Sequence, residues 1–174
     1  MASQDTRTAA KIAAVVAVPV AVLTGIGAFA LLTGGIEDTG PVEMPARVLT
    51  ADEEVICRAL LSQLPDTVRD LEPRPVSAGP EQNAAYGDPP ITLACGVEAA
   101  EVAPTDRVWG LDGVCWVAAE QDDGTVWVTV DREVPVRVTV PSAYGGPGQW
   151  VAEFSRALAE TVPPAPDPPT GCPG

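Results

Sequence analysis

Valine occupies every second position on both sides of a short charged segment in the C-terminal half of the chain. These positions are Val126, Val128 and Val130 and, after Asp131-Arg132-Glu133, Val134, Val136, Val138 and Val140. Successive side chains of an extended chain point to opposite faces, so strict alternation indicates strands with one buried face. We expect these valines to lie under helices, on the same face as Cys115 and Val117.

Turn-forming dipeptides divide the preceding segment into further strands. Asp112-Gly113 and Asp123-Gly124 are both dipeptides that favour tight hairpin turns. Upstream of them, Ile91, Leu93 and Cys95 alternate with smaller residues. The predicted strands cover residues 91–95, 107–110, 114–119, 126–130 and 134–140.

Helical patterns flank the predicted strands on both sides. Thr50-Ala51-Asp52-Glu53 matches a capping box, which predicts a helix that begins there and ends near Leu64. Trp150, Phe154 and Leu158 recur at four-residue intervals and predict a second helix over residues 147–162. The predicted fold is α+β, with an antiparallel meander sheet of four or five strands, two helices on one face of it, and a single transmembrane helix before it.

The N-terminal segment contains an uncharged apolar run over residues 12–32. At ~1.5 Å per residue this run spans about 31 Å, the thickness of a bilayer's hydrocarbon core. Arg7 and Lys11 precede the run and acidic residues follow it, so the N-terminus is expected in the cytoplasm and the C-terminal domain outside. A cleaved signal peptide, with Ala28-Phe29-Ala30 as its cleavage site, is the alternative.

This run sets the predicted organisation of the chain. We expect a cytoplasmic N-terminus over residues 1–11, a transmembrane helix over 12–32, a linker over 33–49, an exported α+β domain over 50–162 and a proline-rich tail over 163–174. The predicted location is the plasma membrane, crossed once by the N-terminal helix.

The four cysteines, Cys57, Cys95, Cys115 and Cys172, all follow the apolar run. An even number of cysteines on the exported side predicts two disulfides, because the envelope is oxidising. Three pairings are possible, and we favour Cys57–Cys95 with Cys115–Cys172. A zinc site is not expected, since the spacings contain no close cysteine pair.

Composition excludes several function classes. The net charge of −14 argues against nucleic acid as a partner. The chain has no histidine and Lys11 is its only lysine, so nucleophile–histidine pairs and Ser-Lys dyads are absent from the exported part. No cofactor or metal motif occurs. An enzyme is therefore not expected, although paired carboxylates remain chemically available.

Two groups of residues are candidates for binding. The first is the turn around Tyr86 and Asp88, which either steers the chain into the next strand or contacts a ligand. The second is a predicted patch of Trp116, Trp127 and Arg137. Pairing Val130 with Val134 would place Trp127 opposite Arg137, with Trp116 on the same face. The alternative for this patch is a second small core covered by the chain's own loops.

Four segments carry a resemblance to a known family: AAYGDPPITLACG, GLDGVCW, TVWVTVDREVPVRVTVP and QWVAEFSRAL. The chain resembles a family of uncharacterised, membrane-anchored actinobacterial proteins that share a domain of unknown function. The resemblance covers nearly all of residues 50–162. It implies an exported envelope protein and no particular reaction.

Two function hypotheses follow from the sequence. The favoured one is a membrane-anchored, non-catalytic binding or accessory module on the outer face of the membrane, with an envelope protein or glycan as partner. The alternative is a carboxylate-based hydrolase that acts on envelope glycan. A pair of carboxylates ~5 to 10 Å apart in a cleft would favour the alternative.

Overall fold

A computed structural model of the chain describes residues 40–103 and 105–172. The predicted transmembrane helix, residues 12–32, lies outside the described residues. Among the helices within those two ranges, none is both long enough and apolar enough to cross a membrane.

The described chain forms one seven-stranded sheet in which all neighbouring strands are antiparallel. The strands are β1 (Pro73–Arg74), β2 (Asn83–Tyr86), β3 (Ile91–Cys95), β4 (Val108–Leu111), β5 (Val114–Gln121), β6 (Gly124–Thr129) and β7 (Val136–Pro141). The predicted α+β class with an antiparallel sheet is confirmed. The predicted count of four or five strands was too low, because β1 and β2 lie in a proline-rich segment without a clear alternating pattern.

The strand order is β1-β2-β3-β7-β6-β5-β4. Two meanders, β1–β3 and β4–β7, are therefore joined side by side through the pairing of β3 with β7. The chain between β3 and β4 runs from the middle of the sheet to its far edge. The prediction of one continuous meander was wrong for this connection.

Two helices flank the sheet in sequence, α1 (Ala51–Ser62) and α2 (Pro147–Thr161). Helix α1 begins with the predicted capping box, because the Thr50 hydroxyl accepts from Glu53 N–H while the Glu53 carboxylate accepts from Thr50 N–H. Helix α2 begins after Gly146, which has a positive φ of 65° and makes no side-chain cap.

Both helices pack on one face of the sheet, as predicted. Alternation along β3 and β7 directs Ile91, Leu93 and Cys95, and Val136, Val138 and Val140, toward Leu60 of α1 and toward Val151, Phe154 and Leu158 of α2. These side chains are all buried. Their removal from water is the main contribution to the stability of the fold.

The opposite face is covered by two extended segments, residues 42–47 and the tail, rather than by helices. Residues 42–47 lie along the β2–β3 side, where Val42 pairs with Val76 and Met44 N–H donates to Ser77 Oγ. The tail crosses the other side, where Pro164 pairs with Arg132 and Ala165 N–H donates to the Asp131 carbonyl.

The two predicted disulfides are confirmed. Cys57–Cys95 joins α1 to β3, with Cα atoms 5.6 Å apart. Cys115–Cys172 joins β5 to the tail, with Cα atoms 5.7 Å apart. One bond therefore fixes a helix to the sheet and the other fixes the tail across the helix-free face.

The predicted register between β6 and β7 was wrong by one residue. The structure pairs Val128 with Arg137 and Trp127 with Val138. Residues 130–135 do not form a short hairpin, because they hydrogen-bond to the tail and to Gly96 and Val97 instead. A slip of one residue reverses the face of every side chain, so Val126 and Val128 lie on the helix-free face.

Candidate binding cleft

Pairing in the β4–β6 hairpins brings three tryptophans to the helix-covered face. Trp109 of β4 pairs with Trp116 of β5, and Trp127 of β6 pairs with Ala118 of β5. Directly paired residues share a face, as do residues two apart in a strand. Trp109, Trp116 and Trp127 therefore all lie on the face that the valines of β7 share.

Helix α2 covers two of these tryptophans and leaves the third partly open. Trp116 is fully buried and Trp127 is 4% exposed, whereas Trp109 is 38% exposed. The first turn of α2 lies over Trp127, since a Cβ on Gly148 would stand 3.4 Å from the Trp127 ring. The space between this turn and Trp109 is left as a cleft.

This space, which we call the aromatic cleft, has a volume of about 660 Å³. Its lining is mainly apolar and comes from the edge of the sheet and the start of α2. The lining residues are Arg107, Trp109, Leu111, Ala118, Glu120, Thr125, Trp127 and 146–149. Its volume lies in the range of sites for small ligands.

Aromatic and charged groups within the cleft are arranged for contact with a flat or apolar group. The Trp109 and Trp127 rings lie 6.0 Å apart at 58°. The Arg107 guanidinium lies 4.3 Å from the Trp109 ring centre, a cation–π distance. Glu120 is the single carboxylate in the lining. The cleft can thus hold an apolar group against these rings and a polar group at its rim.

The predicted patch of Trp116, Trp127 and Arg137 does not exist. Trp116 and Trp127 share a face, as predicted, but Arg137 lies on the opposite face because of the one-residue slip. Of the three, only Trp127 lines the aromatic cleft. The tryptophans form the floor of a core that α2 covers.

Tyr86 and Asp88 are two residues apart in sequence, but Tyr86 is buried and Asp88 is exposed. Tyr86 is 4% exposed; its hydroxyl donates to the Pro65 carbonyl and its ring packs on Phe154. Burial, with a smaller effect from the Asp66 carboxylate, raises the pKa of Tyr86. Asp88 is exposed in the turn that follows. The structure thus gives Tyr86 a packing role, and a ligand role for Asp88 stays a prediction.

Arg137 lies in a separate, smaller pocket of about 280 Å³ on the helix-free face. Thr92 and Thr139, which pair across β3 and β7, line it together with Asn83. Arg137 Nε and Asn83 Oδ1 are buried there without a hydrogen bond to any described residue. A binding role for Arg137 stays a prediction, at a site independent of Trp127.

Sequence reasoning missed Arg107 and Trp109, although the signal for Trp109 was present. A two-residue turn at Asp112-Gly113 pairs Leu111 with Val114 and, two residues on, Trp109 with Trp116. The predicted hairpin therefore already implied that Trp109 and Trp116 share a face. The position of α2 over that face could not be inferred, because it depends on tertiary packing.

All four cysteines are in disulfides. Within residues 40–103 and 105–172, no three His, Cys, Asp or Glu side chains cluster closely enough to hold a metal ion.

Fold and cleft together define a small disulfide-bonded α+β domain that carries an aromatic pocket at one edge of its sheet. The chain belongs to the family described as protein of unknown function DUF3515, whose model matches residues 16–167. No curated protein and no solved structure matches the chain. Family membership supplies no activity.

Proposed function

We propose that this chain is an extracytoplasmic binding module that recognises an envelope component through the aromatic cleft. The observation that carries the proposal is the partly exposed Trp109, stacked with Arg107 beside the buried Trp127. Large rings and arginine are the side chains that contribute most to binding interfaces. An exposed tryptophan without a ligand would otherwise be a liability for solubility.

A non-catalytic role is supported by the composition of the cleft. Acid–base hydrolysis of a glycan requires two carboxylates that face each other across the bond. The aromatic cleft offers only Glu120, and no histidine exists anywhere in the chain. No specific observation favours the hydrolase.

The proposed location is the outer face of the plasma membrane, with the N-terminal run as anchor. The two disulfides support an oxidising compartment. The charges that flank residues 12–32 support the orientation. Protease added to intact spheroplasts should then digest the domain while a cytoplasmic marker survives; survival of both would contradict the orientation.

Site-specific photocrosslinking in living cells tests the binding site. A photoreactive amino acid would replace Gln149, an exposed residue at the lip of the cleft, in the full-length chain. We expect a discrete crosslinked adduct that is lost when Trp109→Ala is added. The matched control places the same amino acid at Val55, an exposed position on α1 that is not part of the cleft lining.

The crosslinking outcomes separate a specific site from general surface contact. Equal adducts from the Gln149 and Val55 positions would mean that the cleft is not the binding site. An adduct at Gln149 that survives Trp109→Ala would mean that the rings do not carry recognition. Either result would overturn the proposal.

A further inference from the structure

The two edges of the sheet are protected very differently. Edge strand β1 has only two residues, one of them Pro73, and residues 40–42 cover it: Arg74 donates to the Gly40 carbonyl and Val42 pairs with Val76. Edge strand β4, Val108–Leu111, contains neither proline nor charge. Proteins usually blunt exposed edges with such residues, because unpaired strands attract other strands.

The backbone groups of β4 that point outward can be assigned from its hairpin. Asp112 and Gly113 both have positive φ and form a two-residue turn, so the flanking pair Leu111–Val114 is hydrogen-bonded. Alternation then makes Trp109–Trp116 the next hydrogen-bonded pair. The N–H and C=O groups of Val108 and Gly110 therefore point away from β5, at a sheet edge where no described strand lies beside them.

The open edge adjoins the aromatic cleft. Trp109 and Leu111 belong to β4, and both line the cleft. A strand added beside β4 would direct alternate side chains to that same face, next to Trp109. Main-chain pairing and an apolar contact would thus be available to one extended ligand.

We propose that β4 accepts an extended, positively charged peptide segment of a partner protein as an eighth strand. One apolar side chain of the segment enters the aromatic cleft, and its backbone pairs with Val108 and Gly110. This inference rests on the proposed binding function and names its ligand class. Strand addition of this kind draws affinity from main-chain hydrogen bonds and specificity from side-chain pockets.

Charge complementarity selects this partner over a second copy of the chain. Asp106, Asp112 and Glu120 are exposed around β4. The nearby cations are Arg107, which is stacked on Trp109, and Arg132, which donates to the Gly113 carbonyl and pairs with Asp131. The whole chain carries a net charge of −14. Opposite charge favours encounter, whereas pairing two copies edge to edge would bring like charges together.

Fluorescence anisotropy with synthetic peptides and the full-length chain tests the proposal. The probes are labelled seven-residue peptides with threonine at alternate positions, a central Leu, Phe or Ser, and Lys or Glu two residues away on either side. We expect the Lys peptides with central Leu or Phe to bind at low salt. Peptides with Glu or with central Ser should bind at least about tenfold more weakly, a difference of ~1.4 kcal/mol.

Backbone pairing is tested in two independent ways. Gly110→Pro removes one outward N–H and should weaken binding about tenfold or more, whereas Gly110→Ala, which keeps that N–H, should change it less than about threefold. N-methylation of the peptide at the residue whose N–H faces β4 should have the same effect as Gly110→Pro. Methylation at the next residue should have little effect. The methylation test uses the unaltered protein, so it holds even if Gly110→Pro fails to fold.

Each contrary result overturns this inference without ambiguity. Binding that is insensitive to both N-methyl positions means that no strand is added. If no peptide binds while the Gln149 adduct still depends on Trp109, strand addition is wrong and the proposed binding function stands. A chain dimer that Gly110→Pro dissociates would show that a second copy occupies the edge instead.

Discussion

The two halves of the sheet are both antiparallel but are covered to different extents. In the closed half, strands β1–β3, helices cover one face, residues 42–47 cover the other, and residues 40–42 cover the edge. In the open half, strands β4–β6, α2 covers only part of one face, and residues 118–121 are exposed. The difference shows that a paired antiparallel sheet forms a core where both faces and the edge are covered, and a cleft where that cover ends.

The largest expected effect belongs to the closed half. Phe154→Ala should lower the free energy of unfolding by about 3–5 kcal/mol, because Phe154 is fully buried against Tyr86 and its loss leaves a cavity. Urea unfolding followed by far-ultraviolet circular dichroism measures this. A loss below about 1 kcal/mol would mean that the closed half is not the main core.

The second-largest expected loss of stability comes from removing the Cys57–Cys95 disulfide. Replacing both cysteines by serine should cost about 2–4 kcal/mol, because the bond closes a loop with a sequence separation of 38 and both side chains are buried. The same urea measurement applies. The control pair, Cys115→Ser with Cys172→Ser, should instead make the tail susceptible to protease, since it frees the chain end on the helix-free face. Identical behaviour of the two double variants would contradict the comparison.

Trp109→Ala tests the open half with a side chain larger than Phe154. We expect a smaller loss, about 2 kcal/mol, because Trp109 is already 38% exposed and therefore buries less apolar area. Binding in the crosslinking experiment should nevertheless disappear. A stability loss equal to that of Phe154→Ala would show that Trp109 belongs to the hydrophobic core, and that the cleft is imperfect core packing rather than a binding site.

Sequence reasoning succeeded where local patterns decide the structure. The capping box at Thr50, the alternating valines and the even number of cysteines predicted α1, the central strands and both disulfides. Each of these depends on a few neighbouring residues, or on whether the intervening chain is long enough to bring two cysteines together. These features can therefore be predicted without knowledge of the tertiary fold.

The predictions that failed depended on contacts that are distant in sequence. The connection over residues 130–135 pairs with the tail, so the β6–β7 register moved by one and Arg137 changed face. Strand β2 is recognisable only once β3 lies beside it. Two features form the cleft: the pairing of Trp109 with Trp116, and the position at which α2 begins. The position of α2 is set by tertiary packing.

The N-termini of the two helices provide the test with the smallest expected effect on stability. Helix α1, which the disulfide joins to the closed half, has a complete capping box, whereas α2 begins beside the open half with no side-chain cap and no acidic residue in its first turn. Hydrogen bonds from Thr50 N–H and from the Thr50 hydroxyl hold the pKa of Glu53 below its ordinary value of 4.5. The Glu53 carboxylate therefore stabilises the folded state above pH 4.5, and this contribution is lost as the pH falls through the lowered pKa.

Glu53→Gln should accordingly lower the free energy of unfolding at pH 7 by a few tenths of a kcal/mol, the range for a charge at a helix N-terminus. The difference from the unaltered chain should shrink as the pH falls below 4.5 through the lowered pKa of Glu53, because the protonated carboxyl group carries no charge. Glu54→Gln is the matched control, because Glu54 lies in the same turn but outside the capping box. Urea unfolding across this pH range decides the matter. An equal and pH-independent effect of both substitutions would show that general charge near α1, and not the capping box, distinguishes its start from that of α2.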